Sequence, residues 1–202
     1  TAGMAGSWPG VSVDTDITFI SYGPQVYAVR ITDGTQVWRF PEKADPRKTF
    51  YAAPVLTTDG QLIVGDYGNG LHSLDAQSGL ERWAFTEAKG RWIGSVLVVD
   101  ETIYAPNADG KLYTFDLRGN KGWQFEAKGA LWAAPVTDGE KIYVGSMDHF
   151  IYALNPANGT VAWSVDVGGA VINTPALSAE GMLYLGTLNN EIVVVDTANG
   201  SI

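Results

Sequence analysis

The sequence predicts an all-β fold made of repeated four-stranded antiparallel sheets, and three observations support this prediction. First, an eleven-residue pattern with a small first residue, a turn glycine and a final tryptophan, seen at Ala153–Trp163, recurs along the chain. The other copies are Ala28–Trp38, Ser73–Trp83, the one-residue-shorter Thr114–Trp123, and an incomplete copy that begins at Val194. Second, the final tryptophans are 45, 40 and 40 residues apart, and a fixed period of this length is typical of a repeat architecture. Third, short apolar or alternating runs are separated by turn residues, and no helical period is found in any window of a dozen residues.

Each repeat divides into four predicted strands, most clearly in the repeat that contains Trp163. From innermost to outermost, these are Trp132–Val136, Lys141–Gly145, Phe150–Leu154 and Val161–Val165. The Asn158-Gly159 pair between the last two is a strong hairpin signal. Four antiparallel strands in a repeating unit of this size are typical of a β-propeller blade. The predicted blades cover residues 7–40, 51–85, 92–125, 132–165 and 173–202, and the fifth blade is incomplete.

The repeats resemble the tryptophan-docking motif of the pyrroloquinoline-quinone-like (PQQ-like) propeller superfamily, and the resemblance covers nearly the whole chain. A blade cannot bury both of its faces alone, so each blade must stack on its neighbours. In the superfamily, the tryptophan stacks between the small first residue of its own motif and the turn glycine of a neighbouring blade. The docking residues that this resemblance implies are Trp38, Trp83, Trp123 and Trp163.

The blade number of the superfamily implies that this chain is part of a larger propeller. Complete rings usually contain seven or eight blades, and about five are present here. A five-bladed ring and a pair of open arcs that associate are the two alternatives.

Composition excludes several kinds of function. The net charge is −9 and the isoelectric point is about 4.5, which disfavours nucleic acid as a partner because its phosphates require a basic surface. The chain has no cysteine, so it contains no disulfide, thiolate metal site or cysteine nucleophile. No apolar run is long enough to predict a transmembrane helix.

No catalytic, cofactor-binding or metal-binding residue is predicted. His72 takes the place of strand tyrosines in sister repeats, and His149 falls in a hairpin turn, so both are interpreted as structural. They have no metal-ligand spacing between them. The glycine-rich segment Gly65–Gly70 joins two strands without a helix to receive a phosphate, so it is interpreted as a turn.

A protein-interaction face is the remaining hypothesis. In a propeller, the loops that enter the innermost strands and the turns between the second and third strands lie on one face around the central channel. The residues predicted there are Tyr51, Tyr67, Trp92, Asn107, Trp132, Met147, Asp148 and Asn189, with Trp8 and Asn173 at the ends of the series. Aromatic and polar side chains that converge in this way suit the docking of a protein or peptide, although their period also fits a packing role. The polar insertion Pro41–Lys48 breaks the period and is predicted to be a surface loop.

The resemblance is closest to non-enzymatic members of the superfamily, such as a lipoprotein of outer-membrane β-barrel assembly. It implies an extracytoplasmic, periplasmic or cell-surface scaffold that binds partner proteins, with a lipid anchor upstream of Thr1. The alternatives are a fragment of a PQQ-dependent quinoprotein dehydrogenase, which would use quinone and calcium, and a propeller that binds a sugar or another small ligand. The fold alone does not show that a cofactor site is present, so no cofactor is predicted.

Overall fold

The computed structural model describes residues 11–202, so Trp8 and the predicted start of the first blade lie outside the described residues. Within this range every helix or strand element is a β-strand, and nineteen strands form five antiparallel sheets. Four of these sheets have four strands and one has three. The predicted all-β class and its four-stranded unit are therefore confirmed.

Each sheet is a meander in which strands that are consecutive along the chain are hydrogen-bonded neighbours. The first sheet consists of β1 (Val11–Val13), β2 (Ile17–Tyr22), β3 (Gln25–Arg30) and β4 (Gln36–Phe40). The second consists of β5 (Val55–Leu56), β6 (Gln61–Gly65), β7 (Leu71–Asp75) and β8 (Glu81–Phe85). The third consists of β9 (Leu97–Val99), β10 (Thr102–Pro106), β11 (Lys111–Asp116) and β12 (Lys121–Glu126). The fourth consists of β13 (Val136–Thr137), β14 (Ile142–Gly145), β15 (Phe150–Leu154) and β16 (Val161–Asp166). The last consists of β17 (Ala176–Leu177), β18 (Met182–Gly186) and β19 (Ile192–Asp196).

The described residues divide into two compact units, one that ends at Val98 and one that covers residues 99–202, and each has a core between successive sheets. In the first unit, Phe19 and Val26 of the first sheet are buried with Leu62 and Leu74 of the second. The core of the second unit joins the fourth and fifth sheets, and its members include Tyr143, Ile151, Val171, Leu183 and Val195. A single sheet does not bury both faces, so the apolar residues of one sheet need the next sheet to exclude water.

The innermost strands begin three to five residues later than the sequence predicts. Trp132–Val136 was predicted as a strand, but residues 132–135 have no strand pairing and β13 is only Val136–Thr137. A proline precedes three of the innermost strands, at Pro54, Pro135 and Pro175. Proline has no N–H to donate to a ladder, so pairing starts only after it.

The residues before these prolines tie successive sheets together by backbone hydrogen bonds. In the first unit, Phe50 N donates to Gly23 O in the β2–β3 turn at 2.9 Å, and Thr49 O accepts from Tyr67 N in the β6–β7 turn at 2.8 Å. We call these two consecutive residues, here Thr49-Phe50, a linker dipeptide. In the second unit, Ala130-Leu131 and Ala170-Val171 make the equivalent bonds to the turns at Asn107, Met147, Ser146 and Leu188. The turns are therefore fixed by the chain that runs between sheets.

Three of the repeat tryptophans pack onto the outer hairpin of the next sheet. Trp123 Nε1 donates to Pro156 O at 2.9 Å, and a Cβ placed on Gly159 would lie 2.3 Å from the Trp123 ring. Trp38 makes the same contacts with Ala76 O and Gly79, and Trp163 makes them with Thr197 O and Gly200. The turn glycines have a positive φ of about 72–76° at these three positions, where a side chain would be strained as well as obstructive.

The small first residue of each motif lies beside its own tryptophan. Ala28 pairs with Trp38, Ser73 with Trp83, and Ala153 with Trp163. The shortened copy differs, because Thr114 Oγ1 donates to the Trp123 carbonyl at 2.6 Å. The hydroxyl therefore bridges β11 and β12 where their register shifts.

Candidate functional site

The turns between the second and third strands of the sheets share one backbone conformation. A residue in the left-handed region occupies the same place in four of them: Asn69, Gly110, His149 and Asn190. His149 is thus an exposed turn residue with φ of 78°, as the sequence predicts for a hairpin turn. The shared conformation places the neighbouring side chains of each turn in equivalent positions.

Several polar side chains predicted for the interaction face are instead hydrogen-bonded or buried within these turns. Asp148 accepts hydrogen bonds from Phe150 N at 3.1 Å, from the Tyr152 hydroxyl at 2.7 Å and from Lys128 N at 2.9 Å. Burial alone would raise the pKa of Asp148, but these donors hold it below its ordinary value. Asn189 Nδ2 donates to Gly168 O, and Asn107 is fully buried. The prediction that Asn107 offers its side chain to a partner is therefore wrong.

Trp92 was also predicted to belong to the interaction face, and the structure contradicts this. Its side chain is only 1% exposed, its backbone N–H donates to Asp66 O at 3.1 Å, and its Nε1 donates to Asn69 O at 2.8 Å. Trp92 is the second residue of a linker dipeptide, equivalent to the buried Phe50 and Leu131. The predicted aromatic series therefore combines two different positions of the repeat. Trp92 is the second residue of a linker dipeptide, whereas Tyr51 and Trp132 each follow that residue.

Tyr51 and Tyr67 meet in the first unit and are joined by an arginine that was not among the predicted site residues. Their ring centroids are 5.0 Å apart in an edge-on arrangement. The Arg91 guanidinium carbon lies 4.2 Å from the Tyr67 ring centroid, and Arg91 Nη1 donates to the Tyr67 hydroxyl at 3.0 Å. Both tyrosines are half-buried and Arg91 is exposed. We call Tyr51, Tyr67 and Arg91 the aromatic–arginine cluster.

In the second unit, Trp132 and Met147 are the half-buried apolar members of the predicted set. The Trp132 indole N–H is buried and has no hydrogen-bond acceptor in residues 11–202. Met147 N donates to Ala130 O of the linker dipeptide at 3.0 Å. These two side chains add apolar surface but no charge.

His72 lies in β7 as predicted, but it also belongs to a buried charged network. Its Nε2 is 3.0 Å from Asp66 Oδ2 and its Nδ1 is 2.6 Å from Glu81 Oε1. Lys48 Nζ lies 3.1 Å from the same Asp66 oxygen, although Asp66 and His72 are almost completely buried. The equivalents of His72 in the next two sheets, Tyr113 and Tyr152, instead donate to the turn aspartates Asp109 and Asp148. The network thus replaces a tyrosine–aspartate pair and fastens Lys48, at the end of the inserted loop, to the second sheet.

Asp66 is the anchor of this network. Burial would raise the pKa of its carboxyl group, but hydrogen bonds from His72 and Gly70 N and the nearby Lys48 lower that pKa to about 2. Because the folded pKa lies below the ordinary value of 3.8, the ionised carboxylate stabilises the fold above about pH 4. That contribution is lost as the pH falls towards about 2.

We predict that Asp66→Asn lowers the free energy of unfolding at pH 7 by about 2 kcal/mol. The difference between wild type and variant should shrink as the pH falls from about 4 towards 2, because the wild-type carboxylate then takes up a proton. Urea denaturation followed by circular dichroism at several pH values measures this difference. Asp33→Asn, in an exposed turn, is the control; a gap between wild type and Asp66→Asn that stays constant with pH would contradict the assignment.

The described residues contain no group of three or more histidine, cysteine or acidic side chains placed to hold a metal ion. A cavity of about 620 Å³ in the second unit is lined by Ala108–Gly110 and Glu126–Ala130. Its lining has no aromatic side chain on which a sugar ring could stack, so it offers little to a sugar ligand.

The sequence matches the family described as "Outer membrane protein assembly factor BamB" over residues 4–127 and again over residues 115–202. The chain belongs to this family. Curated BamB relatives include those of Nitrosomonas eutropha, 27% identical over 164 residues, and Bordetella pertussis, 31% identical over 118 residues. These alignments cover 77% and 56% of the chain but only 38% and 29% of the relatives, so the chain spans well under half of their length.

Another relative has a different name. The serine/threonine-protein kinase AfsK of Streptomyces griseus is 25% identical over 176 residues, which cover 82% of this chain and 22% of the kinase.

The family match and the solved structures together confirm the PQQ-like propeller fold of this chain. The crystal structure of BamB from Moraxella catarrhalis matches with a TM-score of 0.80 at 17% identity, over 93% of this chain and 60% of the other. The computationally designed protein Ika8 matches with a TM-score of 0.78 at 12% identity, over 91% and 56% of the two chains. At these identities the likeness concerns the fold alone. Residues 11–202 contain no membrane-spanning helix.

Proposed function

We propose that this chain is a non-catalytic scaffold of outer-membrane protein assembly that binds protein partners through the turns between the second and third strands. Membership of the BamB family supports the assembly role. The observation that carries the binding role is the aromatic–arginine cluster, in which two half-buried tyrosines and an exposed arginine meet at the β6–β7 turn of the first unit.

The turn that carries the cluster is a rigid support. Tyr67 N donates to Thr49 O, and Asp66 O accepts from Trp92 N, so the turn is bonded to the linkers on both sides. Tyrosine and arginine are enriched among the residues that dominate binding energy at protein interfaces. A rigid support lowers the entropy lost on binding, which favours a partner that docks without rearranging the turn.

We also propose that the scaffold acts outside the cytoplasm, on the periplasmic side of the outer membrane or at the cell surface. The process named in its family's description supports this location. Attachment by a lipid outside these residues, as the resemblance implies, belongs to the same proposal.

The proposed function predicts a loss of outer-membrane proteins when the gene is deleted. Quantitative mass spectrometry of outer-membrane fractions should show β-barrel proteins reduced at least about two-fold, with restoration by the wild-type gene. In the same cells, a photo-crosslinking residue at Tyr67 should capture an assembly protein. A crosslinker at Asn158, an exposed residue of an outer hairpin, is the matched control. Unchanged barrel levels would overturn the assembly role, and equal capture from both positions would overturn the binding face.

A further inference from the structure

We propose that the aromatic–arginine cluster binds an acidic peptide segment, in which a carboxylate pairs with Arg91 and an adjacent apolar side chain packs on the tyrosines. This inference rests on the proposed function and specifies the chemistry of the partner. It needs only residues of the first unit, Tyr51, Tyr67 and Arg91, with the loop Pro41–Lys48 beside them.

Charge is distributed unevenly along this acidic chain. Residues 41–51 and 86–92 hold five of the 13 basic side chains and only three of the 22 acidic ones. These two segments are the linkers that flank the β6–β7 turn, since Thr49 O accepts from Tyr67 N and Trp92 N donates to Asp66 O. The two linkers therefore carry a small net positive charge, while the rest of the chain is strongly acidic. Such local complementarity favours an acidic partner segment and steers its approach.

Arg91 is arranged to receive a carboxylate. Its guanidinium is stacked over the Tyr67 ring and uses one N–H for the Tyr67 hydroxyl, at 3.0 Å. A guanidinium carries five N–H donors in a planar fork that matches a carboxylate. No carboxylate in the described residues forms an ion pair with Arg91, whereas Arg47 is paired with Asp45 at 2.8 Å and Lys48 with Asp66 at 3.1 Å. The stacking holds the fork in place before a partner arrives.

The adjacent loop is held in position rather than free to cover the cluster. Gln25 Nε2 donates to Pro41 O at 2.7 Å, which fixes the beginning of the loop to the first sheet. The ion pair between Lys48 and Asp66 fixes its end to the second sheet. The Lys48 side chain is 39% exposed, and its positive charge is balanced by the buried Asp66 carboxylate, so the charge offered to a partner at the cluster is that of Arg91.

A short acidic peptide suits this surface better than a nucleic acid does. The basic segments are brief, and the remainder of the chain carries 19 acidic against eight basic side chains. A long polyanion would meet repulsion beyond the cluster, because affinity for a phosphate backbone depends on many cationic contacts. A peptide with one or two carboxylates next to an apolar residue avoids that repulsion.

Fluorescence polarisation with the full chain tests the proposal. The probe is a fluorescein-labelled peptide of glutamates around a leucine–phenylalanine pair, and the comparison peptide has lysine in place of each glutamate. Wild type should bind the acidic peptide at least about ten-fold more tightly than the basic one, and Arg91→Ala should weaken acidic-peptide binding by about ten-fold. Arg91→Glu should reverse the preference, so that the basic peptide binds better.

Controls separate binding from folding. Arg118→Ala, at an exposed arginine in the β11–β12 turn, should change the affinity by less than about two-fold, because surface charges away from the contact contribute little. Tyr67→Phe keeps the ring beneath Arg91 and loses only the hydroxyl, so its effect should be smaller than that of Arg91→Ala. Circular dichroism verifies that each variant is folded.

Three outcomes would overturn the inference: equal binding of the two peptides, unchanged binding in Arg91→Ala, or displacement of the peptide by a single-stranded oligonucleotide at lower concentration than by unlabelled peptide. The last outcome would indicate a nucleic-acid partner instead. These failures are distinct from failure of the proposed function. A scaffold that crosslinks an assembly protein at Tyr67 but ignores the acidic peptide keeps its function and loses only this chemistry. If the chain binds the peptide but deletion of its gene leaves outer-membrane proteins unchanged, the acidic-peptide chemistry stands and the proposed function is overturned.

Discussion

Trp123→Ala should lower the free energy of unfolding by about 3–5 kcal/mol. The variant loses the ring that covers Gly159, the hydrogen bond to Pro156 O at 2.9 Å and the contact with Tyr104, whose ring centroid is 5.9 Å away. The space it leaves lies between two sheets that are each fixed by their own ladders, so it cannot collapse fully. Urea denaturation at neutral pH measures the change.

Two comparison variants identify the cause of the Trp123 effect. Trp123→Phe keeps a ring against the glycine and loses the N–H, so it should cost about 1–2 kcal/mol. Leu80→Ala removes a side chain that is 70% exposed and should cost well under 1 kcal/mol. A cost below about 1 kcal/mol for Trp123→Ala would contradict the packing role.

Gly65→Ala should destabilise the fold by about 3 kcal/mol although it adds a single methyl group. A Cβ on Gly65 would lie 2.1 Å from Trp92 Cβ, and Trp92 is held by its own backbone bond to Asp66 O. The linker would have to move away and lose that bond. Thermal denaturation followed by circular dichroism measures the loss.

The chain offers matched positions for the Gly65 experiment. Gly145 occupies the same place in the fourth sheet, where an added Cβ would lie 2.4 Å from Val171 Cγ1, so Gly145→Ala should also be destabilising. Gly186 is the equivalent in the last sheet, and an added Cβ there meets nothing within 4 Å. Gly186→Ala should therefore be nearly neutral. Equal effects at Gly65 and Gly186 would show that linker contact is not the cause.

The repeat and its strands could be predicted from the sequence because the tryptophan motif marks each outer hairpin directly. The start of the inner strands was predicted too early because Trp132–Pro135 looks apolar and strand-like. Pro135 is the local signal that could have corrected this, since it has no N–H for a ladder. The hydrogen bonds that join Ala130-Leu131 to the turns of two successive sheets are long-range and leave no local signal. The same effect led Trp92 to be grouped with Tyr51, although burial places Trp92 with Phe50.

The candidate site was predicted only in part. Tyr51 and Tyr67 were identified as aromatics at the period of the repeat, but Arg91 has no periodic counterpart: the matching linker residues are Thr49 and Ala130. A large cation where the sister repeats have smaller residues is the signal that could have revealed it.

The sequence also contains a signal for the charged network around His72. Gly68 stands where the next two repeats have the turn aspartates Asp109 and Asp148, and His72 stands where they have tyrosine. The simultaneous loss of both members of a pair indicates that another partner, here Asp66, has taken their place.

The outer strands have a consequence for handling the molecule. Among the described residues β4 and β16 are each hydrogen-bonded to one neighbouring strand, and Val37 and Val161 in them are 40% and 46% exposed. A strand with a free edge is a template for pairing with another polypeptide. Association through these edges should therefore rise with concentration, and a measured molecular weight describes the protein only at the dilution at which it was obtained.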